Sequence, residues 1–197
     1  MNNNIMNAAP APKTPQEAME LLVAKNAEFV KENANTGNAS AARRQYTTDN
    51  GQSPYAVIIT CSDSRVPPEH VFNAGIGELF VIRTVGNIVG EYELGSIEYG
   101  ADHLGAKIVV VLGHTYCGAV EAALSGGAHG HVKSIIDQIA AGLPENCDAR
   151  QAEIINVQNC IKIVMTSELI SELVNAGKLK VVGAVYDITD GTVKFMD

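Results

Sequence analysis

Charge is scarce in this chain. Of 197 residues only 18% are Asp, Glu, Lys or Arg, and mean hydropathy is +0.06. So little polar surface implies that part of the molecule is covered by another copy of itself. Basic residues are scarcer than acidic ones, 14 against 22, for a net charge of −8. That argues against the basic patch or stripe of a nucleic-acid binder. No apolar stretch reaches the roughly 18–20 residues of a membrane span, so no membrane partner is expected. The opening MNNNIMNAAPAPK lacks a basic start followed by an apolar core, and so does not read as a secretory signal. It reads as a disordered tail over 1–13, and the expected location is the cytoplasm. There the four cysteines at 61, 117, 147 and 160 are expected as thiols, available for metal or catalysis rather than disulfides.

What is present is apolar: 46% of the chain is hydrophobic, enough for one sizeable core and hence one domain over 14–197. Thr14–Asn33 reads as a helix, with Thr14 as cap, Pro15 in the first turn and Glu17 closing a capping box. Leu21, Leu22, Phe29 and Val30 recur at helical spacing. The stretch 14–50 is expected as an N-terminal helical arm, packed on the core or on a partner, with a polar loop from Asn35 to Ser53 that a short helix could break.

A different texture follows. Tyr55–Thr60, Leu79–Arg83, Lys107–Leu112 and Lys180–Tyr186 are continuous apolar runs of the kind buried parallel strands need. Helical patterns lie between them, at about Glu91–Leu104, Cys117–Leu124, Val132–Ala141 and Arg150–Ala176, the last long enough for two helices. Asp190-Gly191 is a hairpin turn that adds Thr192–Phe195 as an antiparallel edge strand. The expected fold is therefore α/β: a single domain with a mostly parallel central sheet of four strands, an antiparallel edge strand and helices on both faces. Twelve of the 18 glycines lie between Gly75 and Gly130, around the residues with chemical potential.

Cys61 directly follows the first apolar run, in Cys61-Ser62-Asp63-Ser64-Arg65; His114 and Cys117 follow the third, in Gly113-His114-Thr115-Tyr116-Cys117-Gly118. Open parallel sheets bind ligands beyond the carboxyl ends of their strands. If these two strands are neighbours, Cys61 meets His114 and Cys117. A single buried Cys is usually only a small hydrophobe, but two thiols and an imidazole at two strand ends suit zinc. Three protein ligands with a fourth position open is the catalytic arrangement. Asp63 is the candidate for a conditional fourth ligand, and Arg65 competes with the metal for it.

Cys61-x-Asp63-x-Arg65 with His114-x-x-Cys117 resembles the signature of the β-class carbonic anhydrases. The similarity runs from about Gln52 to Leu124, resumes at Val182–Asp187 and extends to the N-terminal helix. It implies a zinc enzyme, one ion per chain, that interconverts carbon dioxide and bicarbonate by zinc-bound hydroxide. Cys61, His114 and Cys117 would bind zinc; Asp63, held by Arg65, would orient the hydroxide. Gln52, Phe80 and Tyr99 match the family's substrate pocket, which lies at a homodimer interface with walls from both chains. One branch of the family carries a bicarbonate site that uses a tryptophan. This chain has none, which favours the plant-like branch and an open zinc site.

Two alternatives accompany this reading. Relatives with the same ligands hydrolyse carbon disulfide or carbonyl sulfide, and a non-catalytic zinc- or bicarbonate-binding module is a second. Gly118, at a helix start, could offer backbone N–H groups to an anion. His70, His103, His129 and His131 read as surface or helix-end residues, Cys147 as a loop thiol and Cys160 as core. Ser62 and Ser64 lack a base partner.

Overall fold

The computed structural model describes residues 11–32 and 34–196. Most of the expected tail over 1–13, and Asn33, lie outside them; residues 11–13 carry no regular structure. Helix α1 is Pro15–Glu32. Its capping box forms as read: Thr14 Oγ1 accepts from the Glu17 amide, and the Glu17 carboxylate accepts from the Thr14 amide, each at 3.2 Å. The buried stripe is Ala18, Leu22 and Asn26, spaced one turn apart; Val30 faces solvent. Asn26 is polar yet fully used. Its amide donates to the carbonyls of Val71 (3.0 Å) and Gly191 (2.9 Å), and its oxygen accepts from the Val193 amide. These bonds seat α1 on its own core. The polar stretch expected as a loop that a short helix could break holds a ten-residue helix, α2 (Ala41–Asn50), capped by the Ser40 hydroxyl.

The remaining elements run β1 (Ala56–Cys61), α3 (Pro68–Val71), β2 (Leu79–Thr84), α4 (Glu91–Glu98), β3 (Ile108–His114), α5 (Gly118–Ser125), α6 (Val132–Ala141), α7 (Ala149–Val164), α8 (Glu168–Asn175), β4 (Lys180–Tyr186) and β5 (Val193–Phe195). Helix α4 is shorter than its sequence pattern, because the backbone widens into a single π-helical turn at Tyr99–His103. The long C-terminal pattern divides into α7 and α8, with Ser167 capping the second. Cys117 caps α5 rather than joining it.

The five strands form one sheet in the order β2-β1-β3-β4-β5, parallel except for β5. Both faces are covered, which is why β1 and β3 are buried at every position. Ile58, Val110 and Leu112 point to a core completed by Leu22 of α1 and by Val71 and Phe72. Val57, Ile59, Val109 and Val111 point the other way, to Ile97, Val157, Val164 and Ile170. This is the two-residue period of a strand written into two apolar layers. Helix α7 lies close to the sheet because β3 and β4 carry glycine beneath it. A Cβ on Gly113 would stand 2.5 Å from Val157 Cγ2, and one on Gly183 would stand 2.8 Å from Val157 Cγ1.

The chain leaves β1 toward β2 on one side and returns across it to β3 on the other. Strand order therefore reverses at β1, and the loops after β1 and β3 open a crevice at the carboxyl edge of the sheet.

Candidate metal centre

Cys61 ends β1 and His114 ends β3, so adjacency of the two strands brings them together. Cys117 reaches them from the first turn beyond β3. One ligand atom from each of the three lies within 4.8 Å of the others, and all three residues are buried. This is the one such cluster of His, Cys, Asp or Glu among the described residues.

Each side chain is aimed by backbone bonds. The Cys61 sulfur accepts from the amides of Gly86 (3.2 Å) and Asp63 (3.4 Å). His114 Nδ1 lies 2.9 Å from the Thr115 carbonyl, which makes that nitrogen the donor and leaves Nε2 with a free lone pair. Nε2 is buried with no hydrogen-bond partner among the described residues. An orphaned imidazole nitrogen is costly unless something else binds it, and it faces two sulfurs. The sulfurs are unequal. The neighbouring Cys117 thiol holds Cys61 well below the ordinary thiol range, and the proximity of Cys61 together with burial pushes Cys117 up. Two thiols and an imidazole converging at two strand ends are a donor set that fits zinc.

Asp63 sits at the rim. Arg65 grips both its oxygens, Nε to Oδ1 at 3.0 Å and Nη2 to Oδ2 at 2.7 Å. The guanidinium draws the Asp63 carboxyl down to about 2. Oδ2 is also 3.9 Å from His114 Nε2, so the carboxylate borders the cluster without occupying it. Arg83 braces the turn from below, donating to the carbonyls of Cys61 (3.1 Å) and Asp63 (2.6 Å). Sequence reading passed over Arg83, because it closes an apolar strand run and nothing local marks its partners. Gly86 was also missed; its φ of 69° turns its amide toward the sulfur.

The comparisons with known proteins bear on this geometry. The sequence model of the carbonic anhydrase family matches residues 56–193, which include the cluster. The chain belongs to the β-class carbonic anhydrases. It is 37% identical over 161 residues to carbonic anhydrase 2 of Mycobacterium tuberculosis, covering 75% of this chain and 76% of that protein. It is 35% identical over 193 residues to the carbonic anhydrase of Mycolicibacterium smegmatis, covering 91% and 92%. Among solved structures, a tetrameric β-carbonic anhydrase of Sordaria macrospora superposes with a TM-score of 0.69 at 29% identity, covering 79% of this chain and 87% of that one.

Not every residue matched to the family pocket lies near this β-carbonic anhydrase cluster within one chain. Phe80 pairs with Val57 and Thr84 with Cys61, so Phe80 is four strand positions, about 13 Å, short of the metal end. Tyr99 packs against Phe80, ring centroids 6.0 Å apart, and stacks on His103 at 4.7 Å. Gln52 is exposed and precedes β1, also at the amino edge. Phe80 and Tyr99 instead line an open groove of about 910 Å³ beside edge strand β2, with Tyr92, Leu94 and Ile163. Tyr92 is 87% exposed there.

Gly118 opens α5, with free space where a Cβ would stand. His70, His103, His129 and His131 are exposed, Cys147 is half-buried and Cys160 lies in the core. No described helix is long and apolar enough to cross a membrane.

Proposed function

We propose that this carbonic anhydrase holds one zinc ion per chain through Cys61, His114 and Cys117 and hydrates carbon dioxide at the open side of that cluster. The observation that carries the reading is the position of Asp63. Its carboxylate borders the orphaned His114 Nε2 at 3.9 Å, yet both its oxygens are engaged by Arg65. An aspartate so held leaves the fourth ligand position free. Zinc with three protein ligands supplies an acidic water near neutral pH and Lewis acidity toward oxygen.

The chain's own residues do the rest. Asp63, ionised by Arg65, accepts a hydrogen bond from the attacking oxygen and fixes which lone pair faces the substrate carbon. As the new C–O bond forms, one C=O π bond of carbon dioxide opens and its electron pair moves onto oxygen, giving bicarbonate; the proton lost by the water in becoming hydroxide passes to buffer. Asp63 and Arg65 are thus the catalytic pair, and Gly118 offers a backbone amide at the start of α5 beside Cys117. The paired state of Asp63 and the absence of tryptophan both favour the plant-like branch with an open site.

Gln52, Phe80 and Tyr99 belong in this reading to the substrate pocket of a neighbouring copy. Within one chain they sit at the wrong edge of the sheet, beside an exposed apolar groove. A second copy seated on that groove would bring an amide donor and apolar walls toward the partner's cluster, and would cover surface that a chain with 18% charged residues has little means of solvating. The protein acts in this view as a homodimer or a dimer-based oligomer in the cytoplasm.

The test is stopped-flow CO2 hydration at pH 7 and pH 8.5, on protein of measured zinc content. Fast turnover at both values is the expected result. Activity at pH 8.5 alone would place Asp63 on the metal near neutrality. Sulfide release from carbon disulfide with negligible CO2 hydration would replace the substrate. One zinc per chain with neither activity would leave a binding module.

A further inference from the structure

The peptide unit joining Tyr116 to Cys117 is held at both ends. Its carbonyl oxygen accepts from Arg65 Nη2 at 3.2 Å, and its N–H donates to Glu153 Oε1 at 3.2 Å. Arg65 is the residue that grips Asp63; Glu153 comes from α7, 36 residues beyond Cys117. We propose that Glu153 is a positioning residue for the Cys117 sulfur, fixing the plane of this peptide and so coupling the metal-binding thiol to the Asp63–Arg65 pair.

The need for Glu153 follows from how α5 begins. Cys117 is the N-cap residue, and its own N–H has no partner inside the helix. In a capping box an acid or amide three residues on would take that N–H. Here that residue is Val120, which is buried and apolar. Glu153 supplies the missing acceptor from a different helix. Tyr116 adds to the demand, because its φ is 58°, a backbone conformation that side chains other than glycine adopt at some cost. A turn bent this way needs outside restraint to keep one orientation.

Glu153 is built for that restraint. Its side chain is only 4% exposed, and a buried carboxylate needs compensation. Arg150, one turn earlier on α7, supplies it through Nη1 to Oε2 at 3.1 Å. The Arg150 guanidinium also lies over the Tyr116 ring, 4.5 Å from its centroid. The two guanidinium groups therefore grip the same turn: Arg65 by the Tyr116 carbonyl, Arg150 by the Tyr116 ring and, through Glu153, by the next amide. Outer partners of this kind typically change metal affinity about 10–100-fold when removed.

The inference rests on the zinc reading of the Cys61–His114–Cys117 cluster, and its test separates the two. Zinc-loaded wild type, E153Q and E153M are mixed with excess chelator and zinc release is timed; cobalt-substituted samples give the visible ligand-field spectrum. Gln keeps an acceptor of nearly the same reach, whereas Met keeps volume alone. Release two- to fivefold faster in E153Q and 10–100-fold faster in E153M, with a shifted cobalt spectrum in E153M, is expected. Release from E153M within twofold of wild type, with an unchanged spectrum, would overturn the proposal. Should E153M not fold, release from E153Q decides: a rate equal to wild type overturns it too. Wild type that takes up no zinc defeats the metal reading instead.

Discussion

Arg65 holds Asp63 by both carboxylate oxygens and, with the same Nη2, touches the carbonyl of Tyr116 next to Cys117. One guanidinium thus ties the loop after β1 to the loop after β3. Asp63 is kept ionised and held at the rim of the cluster by this one partner, so in the proposed reading these two residues should fail in different ways from Cys61, His114 and Cys117.

In the proposed mechanism Asp63→Ala removes the group that orients the attacking oxygen and leaves the three donors in place. Zinc content should stay near one per chain while kcat falls about 10²-fold, the usual scale for losing one aligned polar group at a reacting centre. Metal analysis beside stopped-flow hydration checks both. Undiminished turnover would remove Asp63 from the mechanism.

Cys117→Ala should behave oppositely. With two donors left, zinc per chain falls far below one after dialysis, and activity goes with it. Full zinc stoichiometry in this variant would show that the ligand assignment is wrong.

The four thiols should separate by reactivity. Burial pushes the Cys160 thiol up to about 12, and only the thiolate reacts with an alkylating agent. At pH 8, zinc-loaded protein should be alkylated at half-buried Cys147 alone. Chelation should add Cys61, while Cys117 and Cys160, both buried with their thiols pushed up, should wait for denaturant. Peptide mapping by mass spectrometry reads the order, and early labelling of Cys160 would contradict the packing of α7.

Gly86→Ala tests the turn that aims Cys61. A Cβ there would meet Ile139 Cδ1 at 2.7 Å and Ala119 Cβ at 3.1 Å, at a φ of 69°. Overpacking with an unfavourable backbone should cost about 1–3 kcal/mol in urea unfolding. Zinc retention should weaken as well, since the Gly86 amide bonds to the ligand sulfur. Wild-type stability in this variant would mean that the turn adapts freely.

Tyr92→Glu places a charge on the groove beside β2, far along the sheet from the cluster. If a second copy sits there, sedimentation should shift toward monomer and turnover should drop several-fold while zinc stays bound. An unchanged sedimentation profile would move the interface elsewhere.

Much of this was legible in the chain. Apolar runs unbroken at Tyr55–Thr60 and Lys107–Leu112 required strands covered on both faces, and all of β1 and β3 is buried. Thr14 and Glu17 specified the start of α1 by local chemistry alone. The donor types and spacing of Cys61, His114 and Cys117 marked a candidate metal centre, and the three side chains do converge. Local signals failed where the partner is distant. Asn26 occupies a buried helix position that periodicity assigns to an apolar residue, since its three partners come from Val71, Gly191 and Val193. The short helix allowed for within the polar stretch Asn35–Ser53 is α2, where the Ser40 cap outweighs low hydrophobicity.

The sequence by itself determined the layers, the two apolar faces and the chemical identity of the donors, because period, capping and ligand type are properties of neighbouring residues. Only the tertiary structure decided that β1 and β3 lie side by side, that Arg65 engages both oxygens of Asp63, and that Glu153 of α7 takes the amide of Cys117. Those are contacts between segments far apart along the chain. Their geometry depends on how helices settle over a sheet, down to Gly113 and Gly183, which admit Val157 and bring α7 within reach of the metal loop.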